Sequence, residues 1–175
     1  MESPLVQVIL YFLPAALILM TCYLLIKQFL NNENKAKLIE IKKGFQKEVL
    51  PLRLNAYERI VLFLERISPN NLVLRANSSG VSARQFKNDL LTTIRAEFDH
   101  NLSQQIYISA QGWELTRTAK EDVIKVINLA MSGLNEKHTG MDLSRAILEV
   151  TLKFDSMPTQ KAIDFLKKEI RQIYI

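Results

Sequence analysis

The sequence predicts an all-α protein with an N-terminal transmembrane helix, a helical stalk and a cytoplasmic bundle of about five helices. Three observations predict it. The aliphatic stretches are long and are broken by charges at helical spacing. Five Gly and five Pro in 175 residues are few, which leans the composition the same way. With 48% hydrophobic and 23% charged residues, the chain suits one compact domain plus whatever its N-terminus adds, and it holds no internal repeat or low-complexity segment.

The anchor is expected within residues 1–27. From Ser3 to Ile26 the chain reads SPLVQVILYFLPAALILMTCYLLI, without a charge. At about 1.5 Å per residue such a helix is roughly 36 Å long, more than a hydrocarbon core of about 30 Å. A cleaved signal peptide would want a cationic leader and a small-residue cleavage site, but this stretch follows Met1-Glu2. Leu19-Met20-Thr21 before Cys22 is likewise poor for lipid attachment. Pro14 is read as a tolerated membrane proline that can kink the span. Behind the span come Lys27, Lys35, Lys37, Lys42, Lys43 and Lys47, whereas ahead of it only the α-amino group opposes Glu2. Positive charge marks the cytoplasmic side, so the N-terminus is expected outside and the rest of the chain in the cytoplasm. The sole cysteine, Cys22, lies in the span, so no intramolecular disulfide can form.

Residues 28–50 read as a basic stalk. Leu38, Ile41, Phe45 and Val49 form one helical stripe, and the six lysines from Lys27 onward outnumber Glu33, Glu40 and Glu48. Near an anionic leaflet each lysine contributes about 1 kcal/mol of attraction, so Lys27, Lys35, Lys37, Lys42 and Lys43 are candidate lipid contacts. An ordinary solvated helix face is the other reading. A break is expected at Asn31-Asn32-Glu33-Asn34.

The bundle, residues 51–175, is expected to open with Pro51 at a helix start. Leu54, Tyr57, Val61, Leu64 and Ser68 recur at helical spacing, and Ile60, Leu62, Phe63 and Ile67 carry the apolar surface nearly around the helix, which must therefore be central. What stays polar is a strip. Glu58 and Glu65 share one stripe two turns apart, and Arg59 and Arg66 share the adjacent one. The strip is either an exposed edge with ion pairs inside the bundle or a docking surface, since such charges fix register in helix pairing.

Ser68-Pro69-Asn70-Asn71 ends that helix, and Asn71–Arg75 is a short extended link or brief helix. Ser82 with Gln85 offers a capping box for a helix of about 83 to 107, along which Phe86, Leu90, Ile94, Phe98, Leu102 and Ile106 fall every four residues. Ser109 caps the next, bearing Trp113, Val123, Val126, Ile127, Ala130, Met131 and Leu134, broken at Lys137–Gly140. Asp142 is expected to cap a shorter helix with Leu143, Ile147, Val150 and Phe154, and Pro158 to open the last, with Ala162, Ile163, Leu166, Ile170 and Ile173.

Chemistry-bearing motifs are missing. His100 and His138 are the only histidines, no glycine cluster resembles a phosphate loop, and no HExxH, CxxC or nucleophile elbow is present. No enzyme activity and no cofactor are expected. The net charge of +5 is interleaved with acids outside the stalk, so nucleic acid is not an expected partner. His100, Asn101, Gln104 and Gln105 form a polar patch at helical spacing beside Glu97 and Asp99. It reads as an exposed or hydrogen-bonded surface, as a protein contact, or, with ligands from other helices, as a metal or catalytic site centred on His100, Asp99, Glu97 and Gln104. Trp113 is core or an interface anchor.

The segments LPLRLNAYERIVLFLERISPNNLVLR, SARQFKNDLLTTIRAEFDHNLSQQIYIS and AQGWELTRTAKEDVIKVINLA resemble a family of small uncharacterised bacterial proteins with one N-terminal membrane helix. The most distinctive pieces are Ala56-Tyr57-Glu58-Arg59, Glu65–Pro69 and Glu97–Asn101 with Gln104-Gln105. The resemblance implies a helical protein anchored in a bacterial inner membrane and brings no activity, cofactor or catalytic residue with it. Gly112 departs from the pattern and weakens its helix start by up to about 1 kcal/mol relative to Ala. The expected role is an adaptor or accessory subunit for another membrane protein or for itself. A membrane-anchored enzyme or metal binder around His100 and an anionic-lipid binder through the stalk are the rivals.

Overall fold

The computed structural model describes residues 4–76 and 79–174, with side chains for residues 17–33, 37, 39–40, 44, 47–76 and 79–172. Its elements are α1 (Pro4–Ile67), α2 (Pro69–Arg75), α3 (Ala83–His100), a 3-10 helix (Leu102–Ile106), α4 (Ala110–Ser132), α5 (Gly140–Thr151) and α6 (Pro158–Tyr174). The protein is all-α. Among the described residues the one β-type feature is an isolated antiparallel bridge between Ser82 and Thr139. The chain divides into two compact units, Met1–Val49 and Leu50–Ile175.

In the first unit the described side chains from Leu17 to Ile26 include Leu17, Ile18, Leu19, Met20, Tyr23, Leu24, Leu25 and Ile26, all more than half or half exposed. Four successive positions sweep a full helical turn, so the exposed apolar surface runs around α1 rather than along one face. Among the described residues no helix is long and apolar enough to cross a membrane. Of the expected span, the side chains of residues 3–16, Pro14 included, lie outside the described ones, as do those of Lys35, Leu38, Ile41, Lys42, Lys43 and Phe45. Lys27 is exposed, and Lys37 Nζ sits 2.9 Å from Glu33 one turn back. The break expected at Asn31–Asn34 is not there. The helix continues, because asparagine costs only a few tenths of a kcal/mol in a helix and the Glu33–Lys37 pair ties the two turns together. Pro51 likewise lies inside α1 instead of starting a helix. The hydrogen bond it removes belongs to the Lys47 carbonyl, on an exposed turn that solvent reaches.

In the second unit the last turns of α1 are central, as their apolar pattern predicts. Ala56, Tyr57, Ile60, Phe63, Leu64 and Ile67 are buried. Leu62 is the exception, 48% exposed. Ser68 ends the helix with its backbone extended (ψ 134°), Pro69 opens α2 at its first position, and Leu72 and Val73 bury beneath it, which decides for a helix over an extended link. Ser82 Oγ accepts from the Gln85 N–H at 3.2 Å and starts α3. Asn101 then stops it six residues before the periodicity does. Its amide Nδ2 donates to the Glu97 carbonyl at 2.7 Å and its own N–H to the Phe98 carbonyl at 3.0 Å, and the chain tightens into the 3-10 helix. That rotates Leu102 and Ile106 out of the core, the latter to 76% exposure.

Ser109 Oγ accepts from the Gly112 N–H at 2.9 Å and caps α4. Gly112 is more than a weak helix residue there. A Cβ at this position would stand 3.0 Å from both Ile108 Cγ2 and Leu166 Cδ2 and 3.1 Å from Glu169 Oε2, so its small size lets α6 approach. The cap of α5 is Thr139, not Asp142. Thr139 Oγ1 accepts from the Asp142 N–H at 3.3 Å while Asp142 Oδ2 accepts from the Thr139 N–H at 2.9 Å, a reciprocal box with Asp142 in the first turn. Pro158 opens α6 as the sequence indicates. α4 packs on α5 and α6, α3 on α4 and α5, and α2 on α5. Around α1 they close one core, to which α3 contributes Phe86, Leu90 and Ile94, α5 Leu143 and Ile147, and α6 Ile163 and Leu166.

Candidate functional site

The two polar features of the sequence meet at one place. From α1, Arg59, Leu62, Phe63 and Arg66 line a cleft of about 380 Å³ whose other wall is Glu97, His100 and Asn101 at the end of α3. Because Arg59 and Arg66 are seven residues apart they stack along one side of α1, and α3 ends against them. Arg59 Nε donates to Asn101 Oδ1 at 3.3 Å, and Asn101 is 5% exposed. Arg66 Nη1 donates to both carboxylate oxygens of Glu97 at 3.3 Å. Arg75 of α2, which the sequence did not single out, adds a contact at 3.6 Å to the same carboxylate. Its role depends on a turn that folds α2 back, and no local spacing signals it.

The polar patch does not hold together. Once α3 stops at His100, Gln104 and Gln105 fall on the 3-10 helix and leave the cleft to His100 and Asn101. Gln104 Nε2 donates to Ser103 Oγ at 3.2 Å, and Gln105 and Asp99 are exposed. Among the described residues no group of three or more His, Cys, Asp or Glu could hold a metal ion.

Trp113 is half-buried and packed against the core. Its ring stacks on Phe98 with centroids 5.4 Å apart, Phe98 meets Phe63 at 5.8 Å, and Lys120 Nζ lies 4.4 Å from the centroid of the Phe98 ring. This aromatic run joins α1, α3 and α4 behind the cleft and holds its two walls in place.

The glutamates of the strip face elsewhere. Glu58 and Glu65 line a groove of about 610 Å³ between α1 and α6, with Leu54, Tyr57, Val61, Leu62, Leu166, Lys167 and Ile170. Both are exposed, and among the described residues neither they nor Arg59 forms an ion pair. Leu62 lines both recesses and is the ridge between them. The hydroxyl of Tyr57, which lines this groove, and Oε2 of Glu169 are buried, each without a hydrogen-bond partner among the described residues. Burial first, then the Glu169 carboxylate, pushes the Tyr57 hydroxyl pKa above its usual value, with Arg53 opposing.

Residues 3–173 match the model of a family of unknown function, DUF7935. The chain belongs to that family. The DUF7935 match extends over both units, so the cleft, the groove and the ridge between them all lie within it. No curated protein and no solved structure matches the chain.

Proposed function

We propose that this DUF7935 protein is a single-pass membrane-anchored adaptor or accessory protein, held in a bacterial inner membrane with its N-terminus outside and its helical unit in the cytoplasm, where it assembles with another membrane protein or with itself. Support for the anchor is the uncharged stretch Ser3–Ile26, the lysines behind it, and the apolar side chains from Leu17 to Ile26 that the chain leaves exposed around α1. The observation that carries the docking role is the outer face of α1, where Glu58, Arg59 and Glu65 have no ion pair among the described residues and flank the exposed Leu62. Covering such a face with a complementary one buries an apolar side chain and pairs the charges.

The proposal is non-catalytic and includes no cofactor and no nucleic acid. A metal site or enzyme centre at His100 is disfavoured by its neighbours. Arg59 and Arg66 share the cleft and repel a cation, and Glu97 is committed to two arginines. For lipid contact through the stalk, Lys27 is available, while Lys37 is shared with Glu33.

The test is to tag the C-terminus, crosslink in intact cells, extract with mild detergent and determine the mass and composition of the complex. A stoichiometric membrane protein or a second copy is expected in the membrane fraction. An uncomplexed chain in the soluble fraction overturns the proposal. A cytoplasm-only reporter fused after Ile175 should be active, and silence in a well-expressed fusion overturns the orientation.

A further inference from the structure

We infer that the ridge of α1 is a self-association surface on which two copies pair with their α1 helices parallel, Glu58 and Glu65 of each copy facing Arg59 and Arg66 of the other. The inference names the partner left open by the adaptor reading and rests on it for the common orientation of the two copies.

At about 100° per residue, Leu62 lies midway between the acidic and basic stripes of α1, roughly 50° from each, and Asn55 lies between them about 20° nearer the basic one. Asn55 and Leu62 are both exposed, so they form a crest with acids along one side and bases along the other. Each side is also a recess. On the acidic side Glu58 and Glu65 outnumber Lys167 across the groove, and on the basic side Arg59 and Arg66 outnumber Glu97. The two recesses therefore carry opposite net charge and share Leu62 as their common wall.

Symmetry then decides which pairing is attractive. Two parallel helices facing each other across a two-fold axis that runs along them present the acidic flank of one to the basic flank of the other, on both sides of the axis. Turning one copy end for end brings acid against acid and base against base. A closed two-fold interface must be self-complementary, and only the parallel arrangement is. Levels agree as well, because Glu58 and Arg59, and Glu65 and Arg66, differ in height by only about 1.5 Å. In this pair the crest leucines meet at the axis, each copy's Arg59 enters the other's acidic groove, and Arg66 faces that groove while keeping Glu97. Arg59 gives up only a bond to a neutral amide to do so. Chains anchored by their N-termini in one membrane emerge in this same parallel sense. The charge argument holds without the anchor, and the anchor adds a high effective concentration.

The test uses the full chain with Cys22→Ser and Leu62→Cys, expressed in cells with two different tags and treated with a short bis-maleimide. Crosslinking between the two tagged copies through residue 62 is expected. The double variants Arg59→Glu/Arg66→Glu and Glu58→Arg/Glu65→Arg should each lower it by roughly tenfold or more, since four attractive contacts become repulsive. Expressed together, these two variants should crosslink with each other, and exchanging all four charges in one chain should restore self-crosslinking. Because Arg66 also holds Glu97, the single reversals Arg59→Glu and Glu58→Arg are run alongside, with thermal melting to confirm folding. Absence of copy-to-copy crosslinks with the natural charges, crosslinks from residue 62 to a different protein, or crosslinking indifferent to the reversals in folded variants overturns the inference. Carbonate extraction reports the anchor separately. Pairing that follows these rules in a chain found outside the membrane leaves the interface standing and removes the anchor, and a membrane-bound monomer does the reverse.

Discussion

Glu97 holds Arg66 with both carboxylate oxygens, each 3.3 Å from Nη1, and so links the last turn of α1 to the end of α3. Arg75 of α2 reaches the same group at 3.6 Å, and the Glu97 side chain is only 18% exposed. One carboxylate thus organises three helices. Glu97→Gln should lower stability by about 1 kcal/mol, more than Arg75→Gln, because it leaves two guanidinium groups without their counter-charge. Chemical denaturation of the three proteins checks the order. Equal losses would mean that the Arg66–Glu97 pair adds nothing beyond the Arg75–Glu97 pair.

Gly112→Ala sets two effects against each other. Alanine gains about 1 kcal/mol of helix propensity, but its methyl would press on Ile108 and Leu166 at 3.0 Å. Both side chains are buried, and overpacking of this kind costs roughly 1–3 kcal/mol. A net loss of about 1 kcal/mol is expected, against a gain for Gly133→Ala, where the nearest atom is 4.0 Å away and φ is −87°. Thermal melts that show both substitutions stabilising would remove the close approach of α6 as the reason for glycine at 112.

The box at the start of α5 ties stability to acid. The Thr139 backbone N–H, and then its hydroxyl, hydrogen-bond to Asp142 and hold its pKa below the usual 3.8 against desolvation, with smaller help from His138 and Arg145. The folded pKa is the lower one, so this contribution is complete above about 3.8 and is lost as pH falls through the folded value. Asp142→Asn should flatten the acid limb of the stability curve, and Thr139→Ala should cost about 1 kcal/mol at neutral pH. Denaturant midpoints measured from pH 7 to pH 2 give both. An acid limb that survives Asp142→Asn unchanged would assign the sensitivity elsewhere.

Tyr57 is 2% exposed and its hydroxyl has no hydrogen-bond partner among the described residues. Tyr57→Phe should therefore be neutral or stabilising by up to about 1 kcal/mol, where loss of a made hydrogen bond would be destabilising. Its pKa is raised in the fold, so the wild type should lose stability as pH climbs from about 10 towards the folded value, while Tyr57→Phe should lose less. Alkaline melts of the two proteins compare directly. A large neutral-pH loss in the variant would show that the hydroxyl is satisfied by Glu169 or Arg53 in solution.

Helix type, order and most caps were legible because they are local. Ser82 and Ser109 announce their helices by side-chain reach to an N–H three residues on, and apolar spacing locates the buried faces of α3, α4 and α6. Where a local rule offered two solutions the reading slipped. Thr139 and Asp142 are both good capping residues, and only their mutual bonds assign the roles. The every-fourth-residue pattern ran on to Ile106, but Asn101 turned its amide back onto the Glu97 carbonyl and ended α3 at His100. Gly112 looked like a weakness because the atoms it makes room for, on Leu166 and Glu169, are more than fifty residues away.

The sequence by itself determined an all-α chain, its central helix and the Glu-Arg strip of α1, since periodicity and charge spacing are properties of a helix standing alone. Tertiary structure decided what the strip does. It sent Arg66 to Glu97 and Arg59 to Asn101, left Glu58 and Glu65 over the α6 groove without an ion pair among the described residues, and exposed Leu62 as the ridge between. The physical reason is that a stripe's neighbours are set by where other helices end. Those ends are fixed by single side-chain hydrogen bonds and close approaches that the spacing of residues along one helix does not encode.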